Sequence, residues 1–291
     1  MKAGFIGLGI MGRPMAKNLL KAGVELLVSD LNKEAVEEVV SQGAKEASYA
    51  EIGNECDRII LMVPSGDISL SILFGDGGVA STVKEGSVIC DMSSVTPVES
   101  RECYEKLKAL GTGFVDAPVS GGEPGAIDGT LAIMAGGDEA DFNAMMPIFD
   151  ILGSSALLVG PSGSGSVTKL ANQIIVNNNI AVLSEAMVFA KKAGADPQKV
   201  FEAIRGGLAG SAVMEAKAPM MIERNFIAGG PIRINHKDIK NVMNTAHAID
   251  VPVPYSAQLY EILQTLKIHG CMEDDHSAIL KYFEMLADIE L

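Results

Sequence analysis

Apolar residues over the first 160 positions fall into short runs, separated by stretches where they recur at helical spacing. The runs Ala3–Ile6, Glu25–Ser29, Arg58–Val63, Ser87–Asp91 and Gly113–Asp116 predict strands. Between them Met11–Ala22, Lys33–Ser41 and Pro97–Leu110 predict helices, with Pro97 suited to a first helical position. Leu131–Ala135 and Ala156–Val159, with a helical pattern over Glu139–Leu152 between them, complete this half. Strand and helix in alternation predict βαβ units and a parallel sheet covered on both faces. After the stretch Gly160-Pro161-Ser162-Gly163-Ser164-Gly165 the period changes, and no strand pattern stands out from Ser166 onward. Helices are predicted over Ser166–Ala193, Pro197–Arg205, Met214–Arg224, Lys237–Ala248, Ala257–His269 and Ser277–Ala287. The expected fold is α/β: a doubly wound domain over 1–162, then an all-α domain over 163–291, with a long helix between them. That helix, about 40 Å long at 1.5 Å per residue, is apolar on most sides. It must be buried by other helices or by another subunit, so a homo-oligomer, dimer or tetramer, is expected.

Composition narrows the picture. The 291 residues suit two domains, and 48% hydrophobic with 21% charged residues is an ordinary globular balance. A formal net charge of −14 argues against nucleic acid or an anionic membrane as partner. An anionic small molecule would have to be held by local donors. Cys56, Cys90, Cys103 and Cys271 show no paired close spacing, so reduced structural thiols are expected rather than metal ligands. His236, His247, His269 and His276 show no metal-site spacing either, and surface or helix-end positions are expected, with His276 in a cap. The opening residues Met1-Lys2-Ala3-Gly4-Phe5-Ile6 lack the pattern of a signal peptide, and no uninterrupted apolar run of about 18 residues appears. A cytoplasmic protein with no membrane partner is expected.

Four places carry chemistry. Gly7-Leu8-Gly9-Ile10-Met11-Gly12 lies between the first strand and the first helix, the context of a dinucleotide fingerprint. The first glycine makes the tight turn, the second admits the pyrophosphate to the backbone, and the third packs helix on strand. This makes the first domain Rossmann-type. Asp30 ends the second strand, where a carboxylate accepts ribose hydroxyls and repels a 2′-phosphate. NAD(H) is therefore favoured, while Lys33 nearby leaves NADP(H) open. The plainer reading of Asp30, a helix-starting residue, competes with Asn32, which is better placed as the cap. In Asp116-Ala117-Pro118-Val119-Ser120-Gly121-Gly122, after a later strand, Ser120 and the N–H groups of Gly121 and Gly122 suit a small carboxylate. A simple polar turn explains that stretch equally well. Lys169 stands in the first turns of the long helix, where the dipole disfavours a cation. Asn172 and Gln173 follow on the same face. A cation and two amides grouped at a hinge form a candidate site.

With these motifs the chain resembles the β-hydroxyacid dehydrogenases, the family of 3-hydroxyisobutyrate dehydrogenase, tartronate semialdehyde reductase and, more distantly, 6-phosphogluconate dehydrogenase. The resemblance runs through Phe5–Gly23, Asp91–Pro97, Asp116–Gly122, Gly163–Gln173 and Lys237-Asp238. Gly121–Pro124 with Ala126–Thr130, Val167–Gln173, Ala203–Ser211 and Asp274–Ala278 are most similar to the tartronate semialdehyde reductase branch. Gln173 stands where many members have asparagine, with Asn172 one position earlier, as in that branch.

The resemblance implies that Lys169 is the catalytic residue and that Ser120, Gly121 and Gly122 hold the substrate carboxylate. Asn172 or Gln173 would orient the substrate hydroxyl. Val63, Pro64 and Ser94 would lie along the cofactor, with Lys237 approaching it from the helical domain. The implied activity is NAD(H)-dependent reduction of tartronate semialdehyde to D-glycerate, with hydride from the nicotinamide and a proton from Lys169. An ordinary lysine titrates near ~10.4, and burial would bring it closer to neutrality. The alternatives are 3-hydroxyisobutyrate or another small β-hydroxyacid as substrate, or a non-catalytic dinucleotide-binding module.

Overall fold

A computed structural model describes Met1–Leu291 and divides into two compact units, Met1–Lys169 and Leu170–Leu291. The first is built on β1 (Lys2–Ile6), β2 (Glu25–Ser29), β3 (Lys45–Glu46), β4 (Arg58–Leu61), β5 (Val88–Asp91) and β6 (Gly113–Asp116), all parallel and ordered β3-β2-β1-β4-β5-β6. The chain winds outward from β1 in one direction and then, from β4, in the other. This reversal opens the crevice in which doubly wound sheets bind ligands. Strands of such sheets are apolar throughout because both faces are covered. Ala3, Phe5, Leu26, Val28 and Ile60 pack on one side with Met15 and Leu19 of α1 (Gly12–Lys21), Val36 of α2 (Lys33–Val40) and, from later in the chain, Phe149. Ile6, Leu27, Ile59, Leu61 and Ile89 pack on the other with Ile52 of α3 (Tyr49–Glu55), Leu73 of α4 (Gly66–Phe74) and Leu107 of α5 (Pro97–Lys108).

The sheet is not parallel throughout, which corrects the expectation from alternation. After β6 come β7 (Val119–Ser120), α6 (Gly122–Asp128), β8 (Leu131–Gly137), α7 (Glu139–Leu152) and β9 (Gly153–Gly160). β8 runs antiparallel to both β6 and β7, and β9 parallel to β8. Two glycines make the reversal possible. A Cβ on Gly137 (φ +152°) would come within 2.8 Å of Phe114 O, and one on Gly136 within 2.8 Å of Asp116 Oδ1. The helices α3, α4 and α6 were not predicted; they are short, at 7, 9 and 7 residues.

The second unit is helical, its only strand-like feature an isolated bridge between Pro231 and Asp275. Its elements are the greater part of α8 (Ser164–Lys192), α9 (Pro197–Ile204), α10 (Ala212–Ile222), α11 (Ile232–His247), α12 (Pro254–Ile268) and α13 (Leu280–Ala287). Ile180, Met187, Phe201, Met221, Ile239, Leu263 and Leu280 form its core. α11 starts at Ile232 rather than Lys237, which puts Lys237 in the second turn. The predicted Ser277–Ala287 helix is a 3₁₀ turn, His276–Ile279, followed by α13. By length and composition α8 is apolar enough to cross a bilayer, but half of the relevant stretch is buried inside the protein. It also carries the fully buried polar residues Asn177 and Ser184, as a core helix with internal hydrogen bonds does.

Candidate active site

The carboxyl ends of the parallel strands bring the first group of candidates into one row. Gly7 follows β1 with φ +99°, where a Cβ would lie 2.2 Å from Met62 O, and a Cβ on Gly12 would lie 1.9 Å from Gly7 O. Both positions therefore demand glycine for backbone reasons. Gly9 differs, because a Cβ there meets nothing within 4 Å. It faces open space, as the glycine approached by a pyrophosphate must. Leu8 lies between them, and Ile10 and Met11 lead into α1. These residues fit a dinucleotide.

Asp30 follows β2 on the neighbouring strand end. Its Oδ2 accepts from Leu8 N–H at 2.5 Å and its Oδ1 from Asn32 N–H at 2.7 Å, so the carboxylate is oriented against the glycine turn. Asn32 is the cap of α2, accepting from Ala35 N–H at 3.3 Å. Lys33 pairs with Glu46, an exposed pair of small energetic weight. Val63 and Pro64 follow β4, and Ser94 follows β5. Val63 N–H donates to Ser93 Oγ at 2.8 Å, and Ser93 N–H to the buried Asp91 at 2.9 Å. Burial raises the Asp91 carboxyl above its usual range.

The second group lies after β6. Ser120 ends β7, and Gly121 (φ +138°) and Gly122 (φ +62°) turn the chain into α6 in a conformation that side-chain-bearing residues avoid. Asn18 of α1 closes the far end of α6, its Nδ2 donating to Ala126 O at 2.9 Å and Ile127 O at 3.1 Å. Lys169, half-buried in the second turn of α8, donates from Nζ to Val119 O at 2.8 Å. The predicted cation and the predicted carboxylate-binding serine are thus brought together through one peptide unit.

In the helical unit Gln173 is buried, donates from Nε2 to Asp238 Oδ2 at 2.5 Å, and accepts on Oε1 from Asn172 at 3.0 Å. Lys237 Nζ lies 3.2 Å from the other Asp238 oxygen. One turn along α8, Asn177 accepts from Asn235, whose amide also lies 3.0 Å from His276 Nδ1.

The helical unit also holds groups that the sequence did not single out. Asp275, fully buried, accepts from Lys217 at 2.9 Å, Ser277 N–H at 2.9 Å, and Gly229 and Gly230 N–H at 3.2 Å each. The capping side chain at this turn is Asp275, and His276, half-buried, is the first residue of the capped turn, at the helix end where it is expected. Burial, aided by the Lys217 charge, pushes the His276 imidazole down to about 4. His247 and His269 do sit exposed at helix ends, while His236 stacks on Tyr260 at 4.9 Å. In the first unit the fully buried Asp116 accepts from Gly163 and Ser166 N–H, and burial pushes it up to about 6. Its place at the end of a strand, ahead of Ser120-Gly121-Gly122, gives no sign of these partners, which lie 47 and 50 positions further on.

Comparison with known proteins adds to this. Residues 2–160 match the family model of the NAD binding domain of 6-phosphogluconate dehydrogenase. Residues 163–283 match that described as NAD-binding of NADP-dependent 3-hydroxyisobutyrate dehydrogenase. The chain is 42% identical to 2-hydroxy-3-oxopropionate reductase of Escherichia coli K12, covering 100% of both proteins. It is 36% identical to 2-(hydroxymethyl)glutarate dehydrogenase of Eubacterium barkeri, over 100% of this chain and 97% of that one. The structure of Mycobacterium tuberculosis 3-hydroxyisobutyrate dehydrogenase with L-serine superposes with a TM-score of 0.88 at 26% identity, covering 96% of this chain and 98% of the other.

Proposed function

The chain belongs to the 3-hydroxyisobutyrate dehydrogenase family of NAD(P)-dependent oxidoreductases, and from that premise we propose that it reduces 2-hydroxy-3-oxopropanoate (tartronate semialdehyde) to D-glycerate. The observation that carries this reading is the Lys169 Nζ–Val119 O bond, which holds the ammonium beside Ser120. Ser120, with the Gly121 and Gly122 N–H groups, holds the substrate carboxylate. Lys169 gives a proton to the aldehyde oxygen as the carbon takes up hydride, so the aldehyde becomes a primary alcohol. The hydride would come from a reduced nicotinamide when the cofactor is bound. Gln173 has its oxygen and one amide hydrogen engaged within the helical unit, so contact with the substrate hydroxyl falls to Asn172, steadied by Gln173. Lys237 serves the cofactor. Gly7–Gly12 cradle its phosphates, and Val63, Pro64 and Ser94 border it along the strand ends.

Asp30 favours NAD(H) over NADP(H) through its carboxylate, already aimed by the Leu8 and Asn32 N–H groups. Support for the substrate comes from the full-length similarity to the E. coli reductase. Initial rates of NADH and NADPH oxidation with 2-hydroxy-3-oxopropanoate, set against 2-methyl-3-oxopropanoate, test both assignments. A strong preference for the first aldehyde and for NADH is expected, with activity falling at least ~100-fold in Lys169→Ala. Preference for the methyl compound would move the enzyme to the 3-hydroxyisobutyrate branch. A fully active Lys169→Ala would remove the proposed proton donor.

A further inference from the structure

Asp116 is fully buried at the end of β6 and takes no part in the chemistry above. Its carboxylate accepts two backbone N–H groups at the start of α8, Gly163 on Oδ1 at 2.7 Å and Ser166 on Oδ2 at 2.8 Å. A helix start leaves such donors without an intrahelical partner, and the cap usually comes from the residue just before them. Here it comes from 47 and 50 residues earlier. The approach is close enough to exclude side chains: a Cβ on Gly165 would lie 2.3 Å from Asp116 O and 2.4 Å from Met134 O. Ser166 Oγ lies 2.8 Å from Ser100 Oγ, tying the same turn to α5. Lys169 is one turn further along, and its ammonium is held by Val119 O, three residues after Asp116. One short segment, Asp116 to Ser120, thus grips the helix start, the lysine and the proposed carboxylate site.

We propose that Asp116 is a positioning residue: by fixing the first turn of α8 to the end of β6, it sets where the Lys169 ammonium stands relative to Ser120. The proposal rests on the reading of Lys169 as proton donor. Stability alone does not account for Asp116. Burial opposes its ionised form, and Asp91 on the adjacent strand adds repulsion, against the pull of the two N–H groups. What the carboxylate contributes is two acceptors at fixed positions. An asparagine of the same shape offers one acceptor and turns an NH₂ group toward the other N–H.

The test uses the full-length enzyme with NADH and 2-hydroxy-3-oxopropanoate. Two variants, Asp116→Asn and Ser166→Pro, break the same hydrogen bond from its two sides; proline is tolerated in a first helical turn, and Ser166→Ala, which removes only the hydroxyl held by Ser100, is the reference for Ser166→Pro. Expected are a kcat lowered about 10–100-fold, an unchanged KM for NADH, and a melting temperature of Asp116→Asn no lower than that of the wild type. In the wild type, the Gly163 and Ser166 amides should exchange with solvent as slowly as those of β6. Wild-type kcat in either folded variant would overturn the proposal. So would a kcat loss matched by lost NADH affinity and a lowered melting temperature, since that is general damage. Fast exchange of the two amides would refute the anchor itself. Lys169→Ala is measured alongside: if it were fully active, the reading of the lysine and the positioning role would fall together, while the exchange rates would still decide the anchor.

Discussion

The cofactor edge of the first unit and the polar network of the second are built on opposite plans. At the edge, backbone does the shaping: Gly7 and Gly12 exist where they do because Met62 O and Gly7 O leave no room for a Cβ. In the helical unit side chains do it, as Asp275 gathers Lys217, Ser277, Gly229 and Gly230, and Asn235 links Asn177 to His276. A backbone-built site is rigid before any ligand arrives and fails by steric clash. A side-chain-built network depends on every partner and fails by leaving buried groups unpaired.

The sharpest way to break this contrast is at the glycines. Gly12→Ala should cost roughly 5 kcal/mol, because the added methyl must displace backbone rather than a flexible side chain. Gly9→Ala should leave the melting temperature unchanged and weaken only NADH binding, read by fluorescence titration. Equal destabilisation by the two substitutions would show that the edge is not shaped by backbone contact. Next in size is Asp275→Ala, which strands Lys217 and three N–H groups in the helical unit. Chemical denaturation should register a loss of about 3–5 kcal/mol, and a loss below about 1 kcal/mol would mean that water replaces the carboxylate easily.

Acidification should separate the two units by sign. His276 falls from 6.5 to about 4 in the folded protein, so the unfolded chain binds the extra proton first. Its contribution, about 3 kcal/mol, is complete above pH 6.5 and is lost as pH falls toward 4. Asp116 rises from 3.8 to about 6, so its ionisation weakens the fold as pH climbs through that window, again by about 3 kcal/mol. Hydrogen exchange between pH 4 and 6.5 should therefore show protection falling around Asn235 and rising around β6. His276→Gln and Asp116→Asn should each flatten only their own unit's response. A change of the same sign in both units would reject this account.

The two plans also explain what could be read in the sequence. β2, β6 and α7 have the predicted limits, since apolar runs closed by turn residues or a helix-starting acid carry their own boundaries. The glycine turn and Asp30 were legible because contiguous backbone makes the motif. α3 escaped notice at seven residues, although Ser48 and Glu51 form a capping box that announces it. The reversed direction of β8 is written in no residue of β8's own apolar run; it depends on close approach at Gly136 and Gly137. The helix-end place of His276 is legible, but its surroundings are not, because Asn235 and Lys217 lie 41 and 59 positions away and no local pattern predicts their meeting.

The Asn18 amide, fastened to the last carbonyls of α6, has a bearing on how this enzyme could be redesigned. A helix in the cofactor-binding motif holds the loop that begins with Gly121 and Gly122, and Gly129, with φ +67°, closes that helix where an added Cβ would lie 3.6 Å from the same amide. Residues 121–130 are therefore not a cassette that can be exchanged alone to change substrate. A graft from a relative would have to bring whatever that relative carries at position 18, or keep the carbonyl pair that Asn18 expects.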